Sequence, residues 1–277
     1  MTDTFAYLQG FLPLKLISRL TGWLAALQRP RWLIQRGLHW YVSSYQVDLS
    51  EAKRKTIADY QSFNDLFTRE LAATARPIDA ATHRAIFPAD GHVSACGPTS
   101  PHLILTAKNH PYQLATLLGD EQQAHTFAQG FFCLQYLSPR DYHRVHAPLA
   151  GQLLTLDTIA GGVYSVNPAS CRQYPDIFTR NARIIYHFDT AFGKMVVIMI
   201  GALNVSSMIT AWHGKVATAK PFHRIAHHDN PIHVAKGDYI GHFALGSSVI
   251  TLFERLPDQM LCQCDRFHPM GEAMISF

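Results

Sequence analysis

The first forty residues carry apolar side chains at helical spacing, interrupted by basic residues. The apolar positions are three or four residues apart, as on one face of an α-helix, and they are Leu12, Leu16, Leu20, Trp23, Leu24 and Leu27. Pro30 interrupts this pattern, because proline cannot continue a helix interior. A second apolar run from Trp32 to Val42 follows it. The pattern predicts two amphipathic helices within residues 5–42.

From about residue 84 the pattern changes to short apolar runs that are separated by Gly and Pro, which is typical of β-strands. The runs cover residues 130–137, 151–158, 183–189, 194–200 and 248–253. Helical patterns remain only around residues 60–71 and 113–127. The sequence therefore predicts an α+β fold, with N-terminal amphipathic helices followed by a β-rich, mainly antiparallel catalytic body.

Two features bear on whether the chain crosses a membrane. The segment Met195–Trp212 has no charged residue, but Gly201 and Asn204 lie in its middle with β-branched residues on both sides. This favours two buried strands joined by a turn over a spanning helix. The chain also starts without the positive region of a signal peptide, since Asp3 stands there. We expect neither a transmembrane helix nor a signal peptide.

Charge is concentrated at the N-terminus. Five basic residues within residues 1–47 face a single acidic one, which accounts for the whole net charge of +4; the basic ones are Lys15, Arg19, Arg29, Arg31 and Arg36. Trp23, Trp32 and Trp40 lie in the same region. A basic, Trp-rich helix pair is typical of an anchor at an anionic lipid surface, and a helical hairpin packed on the body is the alternative. Such a mild, local charge does not indicate a nucleic-acid-binding protein.

Neither the cysteines nor the histidines indicate a metal site. The five cysteines have no metal-ligand spacing, so we expect reduced, mostly buried thiols. Four of the sixteen histidines fall close together, at His223, His227, His228 and His233. The Asp229-Asn230-Pro231 sequence between them indicates an exposed polar loop.

Three segments carry side chains suited to catalysis. Asp90 lies in a Pro-Ala-Asp-Gly turn within residues 87–93, and residues 136–151 combine Arg140, Asp141, His143, Arg144 and His146. In residues 243–253, a Gly246-Ser247-Ser248 sequence interrupts a strand pattern. Asp90, His146 and Ser247 supply an orienting acid, a base and a hydroxyl nucleophile, the roles of a catalytic triad. An ordinary turn, surface histidines and a β-bulge explain the same segments without catalysis.

The segments YLSPRDYHRVH, PADG and LGSS, in their order along the chain, resemble the bacterial phosphatidylserine decarboxylases. Further segments are similar to that family and extend the resemblance over nearly the whole chain: residues 62–79, 107–119, 165–183 and 188–193. One departure is Ser248, where the common form of the last motif has Thr. The substitution keeps a hydroxyl group.

The resemblance implies a proenzyme that cleaves itself between Gly246 and Ser247. Ser247 Oγ, deprotonated by His146 with Asp90 holding the histidine tautomer, attacks the Gly246 carbonyl. The resulting ester undergoes β-elimination, and the residue at position 247 becomes a pyruvoyl group. The products are a large chain, 1–246, and a small pyruvoyl chain, 247–277, which we expect to remain together as a heterodimer. A dimer of such pairs is a further expectation.

The implied activity is conversion of phosphatidylserine to phosphatidylethanolamine and CO2, in phospholipid biosynthesis. The covalent pyruvoyl group from Ser247 supplies the electron sink through a Schiff base with the substrate amine, without pyridoxal phosphate or metal. His143 is the candidate for handling the substrate carboxylate or returning the proton. His143 and His146 lie one turn apart if their segment is helical and on opposite faces if it is a strand.

A lipid substrate favours the membrane-anchor interpretation of the N-terminus. We expect residues 1–50 to form a membrane-associating helical region and residues 51–277 a catalytic domain. The protein is then peripheral, on the cytoplasmic face of the cell membrane. Three alternatives remain at this point: a serine hydrolase that uses Asp90, His146 and Ser247 without self-cleavage, a non-enzymatic lipid-surface protein, and a pyruvoyl decarboxylase acting on a soluble amino acid.

Overall fold

A computed structural model describes residue 9 and residues 12–100, 106–107, 110–174, 176–202, 208–216, 221–227, 230–244 and 247–277. The helices in these ranges are α1 (Leu14–Ala26), α2 (Arg31–Tyr45), α3 (Phe63–Phe67), α4 (Leu114–Leu118), α5 (Glu121–Thr126), α6 (Pro168–Gln173) and α7 (Ile177–Arg180). A 3-10 turn, Ile57–Asp59, precedes α3.

The strands in the first half of the fold are β1 (Arg84–Ile86), β2 (Gly91–Pro98), β3 (Thr106–Ala107), β4 (His110–Pro111), β5 (Phe131–Leu137), β6 (Arg144–His146), β7 (Gly151–Ile159), β8 (Arg183–Thr190) and β9 (Gly193–Gly201). Those in the second half are β10 (Met208–Thr210), β11 (Gly214–Lys215), β12 (Phe222–Ala226), β13 (Ile232–Val234), β14 (Tyr239–Phe243), β15 (Ser247–Phe253), β16 (Gln259–Met260), β17 (Phe267–His268) and β18 (Ala273–Ser276).

The largest sheet has the order β12-β7-β8-β9-β15-β5-β2-β17, with β13 also paired to β7. Its strands pair antiparallel, which confirms the predicted α+β class. All residues of β15 are buried, and β9 is buried from Met195 to its end. Strands buried on both faces read as continuous apolar runs, which explains why these two were predictable. The core of the molecule lies along this central pair.

Besides the large sheet, the described residues form a two-stranded sheet, β3-β4, and two sheets of three and four strands. One has the order β11-β10-β14-β6, and the other has the order β1-β18-β16. β6 pairs with β14 through Val145 and Gly241, so a short strand holds the part of the candidate segment 136–151 that ends in His146. The strand alternative for residues 143–146 is therefore the observed one for Arg144–His146.

The N-terminal helices form a second, smaller core. One face of α2 packs against the segment before and within α3, in a cluster of Leu38, Tyr41, Val47, Tyr60, Leu66 and Phe67. Large apolar side chains elsewhere on α1 and α2 point outward: Leu16, Trp23, Trp32 and Trp40 are 62–71% exposed. Tyr41 also donates a hydrogen bond to the Pro139 carbonyl at 2.5 Å, which attaches α2 to the catalytic body.

The sequence located most elements but not all of their ends. The helical pattern around 113–127 divides into α4 and α5, because Gly119 adopts φ +70° and Asp120 caps the next helix. The pattern around 60–71 shortens to α3, whose first turn is capped by Ser62. The uncharged segment forms β9 and β10, and residues 203–207 between them lie outside the described residues.

The cysteine thiols are less buried than the sequence predicted. The thiols are free, but Cys133 is the buried one, whereas Cys264 is exposed and the other three are intermediate. The prediction of mostly buried thiols was wrong, because three of the cysteines lie at the edge of the core.

None of the helices within the described ranges is both long enough and apolar enough to cross a membrane.

Candidate active site

Ser247 is the first residue of the central strand β15. Its Cα neighbours are Leu137 on β5 and Gly201 on β9, so the hydroxyl is positioned by strands on both sides. The residue is 1% exposed, and its Oγ lies 3.5 Å from Nδ1 of His143. Gly246, the other residue of the predicted cleavage site, lies outside the described residues.

His143 is held in one orientation and one tautomer. Its Nε2 lies 3.0 Å from the Ser138 carbonyl oxygen, which can only accept, so Nε2 carries the proton. The ring stacks on Phe67, with centroids 3.9 Å apart. Burial, together with the positive charge of Arg69, lowers the pKa of His143 to about 3. The ring is therefore neutral, and Nδ1 presents a lone pair to Ser247 Oγ.

His146, at the end of β6, has both ring nitrogens engaged. Nδ1 lies 2.8 Å from the Gly237 carbonyl and must donate to it, which leaves Nε2 to accept from the Tyr142 hydroxyl at 2.9 Å. Burial lowers the pKa of His146, while the charge of Asp90 opposes that shift. The backbone N–H of His146 donates to the Pro88 carbonyl at 2.8 Å, which places the histidine beside the Asp90 turn.

Asp90 lies in the turn between β1 and β2, as predicted, and it is 2% exposed. Its carboxylate accepts two hydrogen bonds from Arg76, at 2.9 and 2.6 Å, and one from the Met270 amide at 2.8 Å. Arg76 also pairs with Glu51 at 2.8 Å. The described hydrogen bonds of Asp90 thus go to Arg76 and Met270, and those of His146 go to Gly237 and Tyr142.

Sequence reasoning did not single out Tyr142, Arg76 or Arg69. Arg69 follows α3, is 4% exposed, and donates to the Arg140 carbonyl at 2.8 Å, while its Nε has no hydrogen-bond partner in the structure. All three lie within the segments that carry the family resemblance, 62–79 and 136–146. Their position within these two segments was the available sequence signal.

The sequence predicts no metal site, and this prediction concerned mainly the four histidines within residues 223–233. His223 lies on β12 and His233 on β13, so these two belong to strands rather than to a loop; His228 lies outside the described residues. Nowhere in the described parts of the chain do three or more His, Cys, Asp or Glu side chains form a group that could hold a metal ion.

A cavity of about 460 Å³ is lined by residues of β2 and β5 and of the loop after β5, and neither Ser247 nor His143 is part of its wall. Ser138, whose carbonyl holds His143, lines it, as does Tyr136, the Cα partner of Ser248. Arg140 adds a positive charge, and Tyr45 extends the cavity to the end of α2. The cavity connects the catalytic body with the N-terminal helices.

A buried serine hydroxyl facing a neutral imidazole lone pair is an arrangement typical of enzymes that activate a hydroxyl group. Comparisons with known proteins show which family of enzymes this chain belongs to. The phosphatidylserine decarboxylase family profile matches residues 63–276, so the chain belongs to that family and is a decarboxylase.

Curated relatives cover nearly the whole chain. A protein named phosphatidylserine decarboxylase proenzyme from Pseudomonas fluorescens is 41% identical over 92% of this chain and 90% of its own length. Proteins of the same name from Acidovorax ebreus and Bordetella petrii are 40% and 43% identical, over 99% and 87% of this chain and 98% and 85% of theirs. The resemblance found in the sequence is confirmed.

Proposed function

We propose that this chain is the proenzyme of a phosphatidylserine decarboxylase that cleaves itself between Gly246 and Ser247. The observation that carries the proposal is the burial of Ser247 at the start of β15, between β5 and β9, with its hydroxyl facing the segment that carries both His143 and His146. A hydroxyl in this position is shielded from water and sits at the start of a strand, where the preceding peptide bond is within reach of its own side chain. The relatives' names, which include the word proenzyme, support the same conclusion.

We assign the self-cleavage roles to Asp90, His146 and Ser247. The base must hold the proton it takes from Ser247 Oγ, so its charged form needs stabilisation. Burial is the main cause that lowers the pKa of both histidines. At His146 the hydrogen bond to Gly237 and the charge of Asp90 oppose this shift, while Arg144 adds to it. At His143 the charge of Arg69 adds to the shift, which brings the pKa to about 3. His146 is therefore the better proton acceptor, and its Nε2 becomes available when the Tyr142 hydroxyl moves away.

We assign His143 to the decarboxylation step. When formed from Ser247, a pyruvoyl group supplies a carbonyl that withdraws electrons from the substrate amino acid. His143 presents its neutral Nδ1 to the atoms at position 247, where it accepts a hydrogen bond or a proton. Its stacking on Phe67 and its bond to Ser138 keep it in place.

Strand pairing supports a stable pair of chains after cleavage. The proposed small chain, residues 247–277, contains β15, β16, β17 and β18. β15 lies between β5 and β9, β17 pairs with β2, and β18 pairs with β1, all of them in the large chain. Because the small chain supplies a central strand, we infer that the products remain a heterodimer. A dimer of heterodimers stays a prediction.

We propose the cavity between α2 and the β2–β5 edge as the place where the phosphatidylserine headgroup approaches the protein. The Arg140 guanidinium at its wall is suited to the phosphodiester charge, and Tyr45 leads from the cavity to α2. The exposed apolar side chains of α1 and α2 would enter the lipid interface, next to basic side chains that favour anionic headgroups. We therefore propose residues 1–50 as the membrane-associating region, peripheral and on the cytoplasmic face, and residues 51–277 as the catalytic domain.

Intact mass spectrometry of the purified protein tests the proposal. We expect a fragment that starts at position 247 with a pyruvoyl group in place of the serine amine, and a partner fragment that ends at Gly246. Ser247→Ala should give one uncut chain, and Ser248→Ala, on the neighbouring hydroxyl, should still be cut. A single full-length wild-type chain that decarboxylates phosphatidylserine would refute self-cleavage, and labelling of its Ser247 by an acylating probe would favour a serine hydrolase.

A further inference from the structure

Four of the five cysteines converge where the C-terminal loop passes β2. The sulfur atoms of Cys96, on β2, and Cys264, in the loop before β17, lie 3.4 Å apart. Cys133 on β5 is the Cα partner of Cys96 in the sheet. The Cys262 thiol contacts those of Cys96 and Cys133. Thiols from two distant parts of the sequence therefore form one cluster.

Backbone hydrogen bonds fix this arrangement on both sides of Cys264. The Asp265 amide donates to the Val93 carbonyl at 2.8 Å, and the Val93 amide donates to the Arg266 carbonyl at 2.9 Å. Toward the start of the loop, the Cys262 amide donates to the Met274 carbonyl at 2.9 Å. Since both ends of the loop are bonded to strands, the fold itself brings the Cys96 and Cys264 thiols together.

We propose that Cys96 and Cys264 are a disulfide-forming site that covalently joins the large and small chains of the cleaved protein. Cys96 precedes the proposed cleavage site and Cys264 follows it. The cross-link between two chains rests on the proposed self-cleavage, whereas formation of the bond rests on the sulfur contact. In the uncut proenzyme, the same bond would close a loop within one chain.

The oxidant that fits the site is a small-molecule disulfide. Cys264 is exposed, so its thiolate attacks the small disulfide, forming a mixed disulfide and releasing one small thiol. The Cys96 thiolate then attacks the Cys264 sulfur and releases the second small thiol. The protein loses two electrons and two protons, and the small disulfide gains both. Burial and the neighbouring Cys96 raise the pKa of the Cys264 thiol, so the reaction should accelerate with rising pH.

The experiment treats the purified, self-processed protein with glutathione disulfide and separates the chains on a denaturing gel without reductant. We expect the two chains to migrate together near 31.1 kDa and to separate after addition of a thiol reductant. Tryptic peptides 85–108 and 256–266 should be joined. Because the second peptide holds both Cys262 and Cys264, fragmentation at Gln263 identifies the bonded sulfur.

Three variants show which cysteine forms the bond and whether a missing cross-link reflects failed self-cleavage or failed disulfide formation. Cys264→Ser should abolish the cross-link, whereas Cys262→Ser, two residues away in the same loop, should retain it. Ser247→Ala should contain the bond within one uncut chain, so a failure of self-cleavage is recognised separately from a failure of disulfide formation. The proposal is refuted if oxidised protein retains five alkylatable thiols, if Cys264→Ser is still cross-linked, or if the bond maps to Cys262.

Discussion

Ser247 Oγ faces Nδ1 of His143 at 3.5 Å, while the other nitrogen of that ring is held by the Ser138 carbonyl. The imidazole is therefore held in one orientation, with its lone pair aimed at the residue that we propose becomes the cofactor. His146, three positions further on, makes a different set of contacts, to Gly237 and Tyr142. The two histidines of this short segment therefore have different contacts, and we propose a different role for each of them.

The first prediction separates these tasks at His143. His143→Ala should leave self-cleavage intact but reduce kcat for decarboxylation by about 10²–10⁴-fold, the usual contribution of a proton-transferring group. Intact mass measures cleavage, and CO2 release from phosphatidylserine in mixed micelles measures activity. His125→Ala, on the exposed surface of α5, is the matched control and should change neither. Full activity in His143→Ala would exclude the proposed role.

The second prediction concerns Asp90 and His146. His146→Ala and Asp90→Asn should both accumulate uncut chain, because one lacks the base and the other lacks the charge that stabilises its protonated form. The Asp90 variant also leaves Arg76 without a full counter-charge, so thermal unfolding must show that each variant is folded. If His146→Ala is processed at the wild-type rate while His143→Ala is not, the two assignments must be exchanged.

The third prediction is a pH dependence of stability. His143 has its pKa lowered from 6.5 to about 3 in the folded protein, so the unfolded chain binds its proton first as the pH falls. Its contribution to stability is complete above about pH 6.5 and is lost progressively below it, by about 2 kcal/mol between pH 7 and pH 5.

Urea unfolding of the uncut Ser247→Ala chain at both pH values measures this loss. Adding His143→Gln should remove about 2 kcal/mol of the difference between pH 7 and pH 5, since glutamine does not titrate in this range. An unchanged pH difference in the double variant would show that His143 is not neutral in the folded protein.

The fourth prediction concerns Arg69 as a positioning residue. Its charge contributes to the low pKa of His143, and its bond to the Arg140 carbonyl holds the loop that carries Ser138. Arg69→Met should raise the His143 pKa and move the acid limb of the decarboxylation pH profile to higher pH. Arg69→Lys, which keeps the charge, should leave that limb in place. A loss of activity without any movement of the pH profile would indicate a structural role only.

The sequence could predict the central strands because β15 is buried throughout and β9 from Met195 onward, so that both are continuous apolar runs in the sequence. It could also predict the Asp90 turn, since Pro-Ala-Asp-Gly is a local signal. The partners of the site residues were not predictable in this way. The fold brings Arg76 to Asp90 and His143 to Ser247. These contacts depend on the order of the strands in the sheets, which the spacing of residues along the sequence does not reveal.

The fifth prediction concerns the apolar surface of α1 and α2. Changing Trp23, Trp32 and Trp40 to Ala together should weaken binding to phosphatidylglycerol-containing vesicles by more than about tenfold, because their exposed rings are proposed to enter the lipid interface. Leu256→Ala is the control, since that side chain is 52% exposed but lies on the catalytic body. Vesicle co-sedimentation gives the affinity, and self-cleavage should remain complete in both variants. Equal binding of the triple variant and the control would show that α1 and α2 do not anchor the protein.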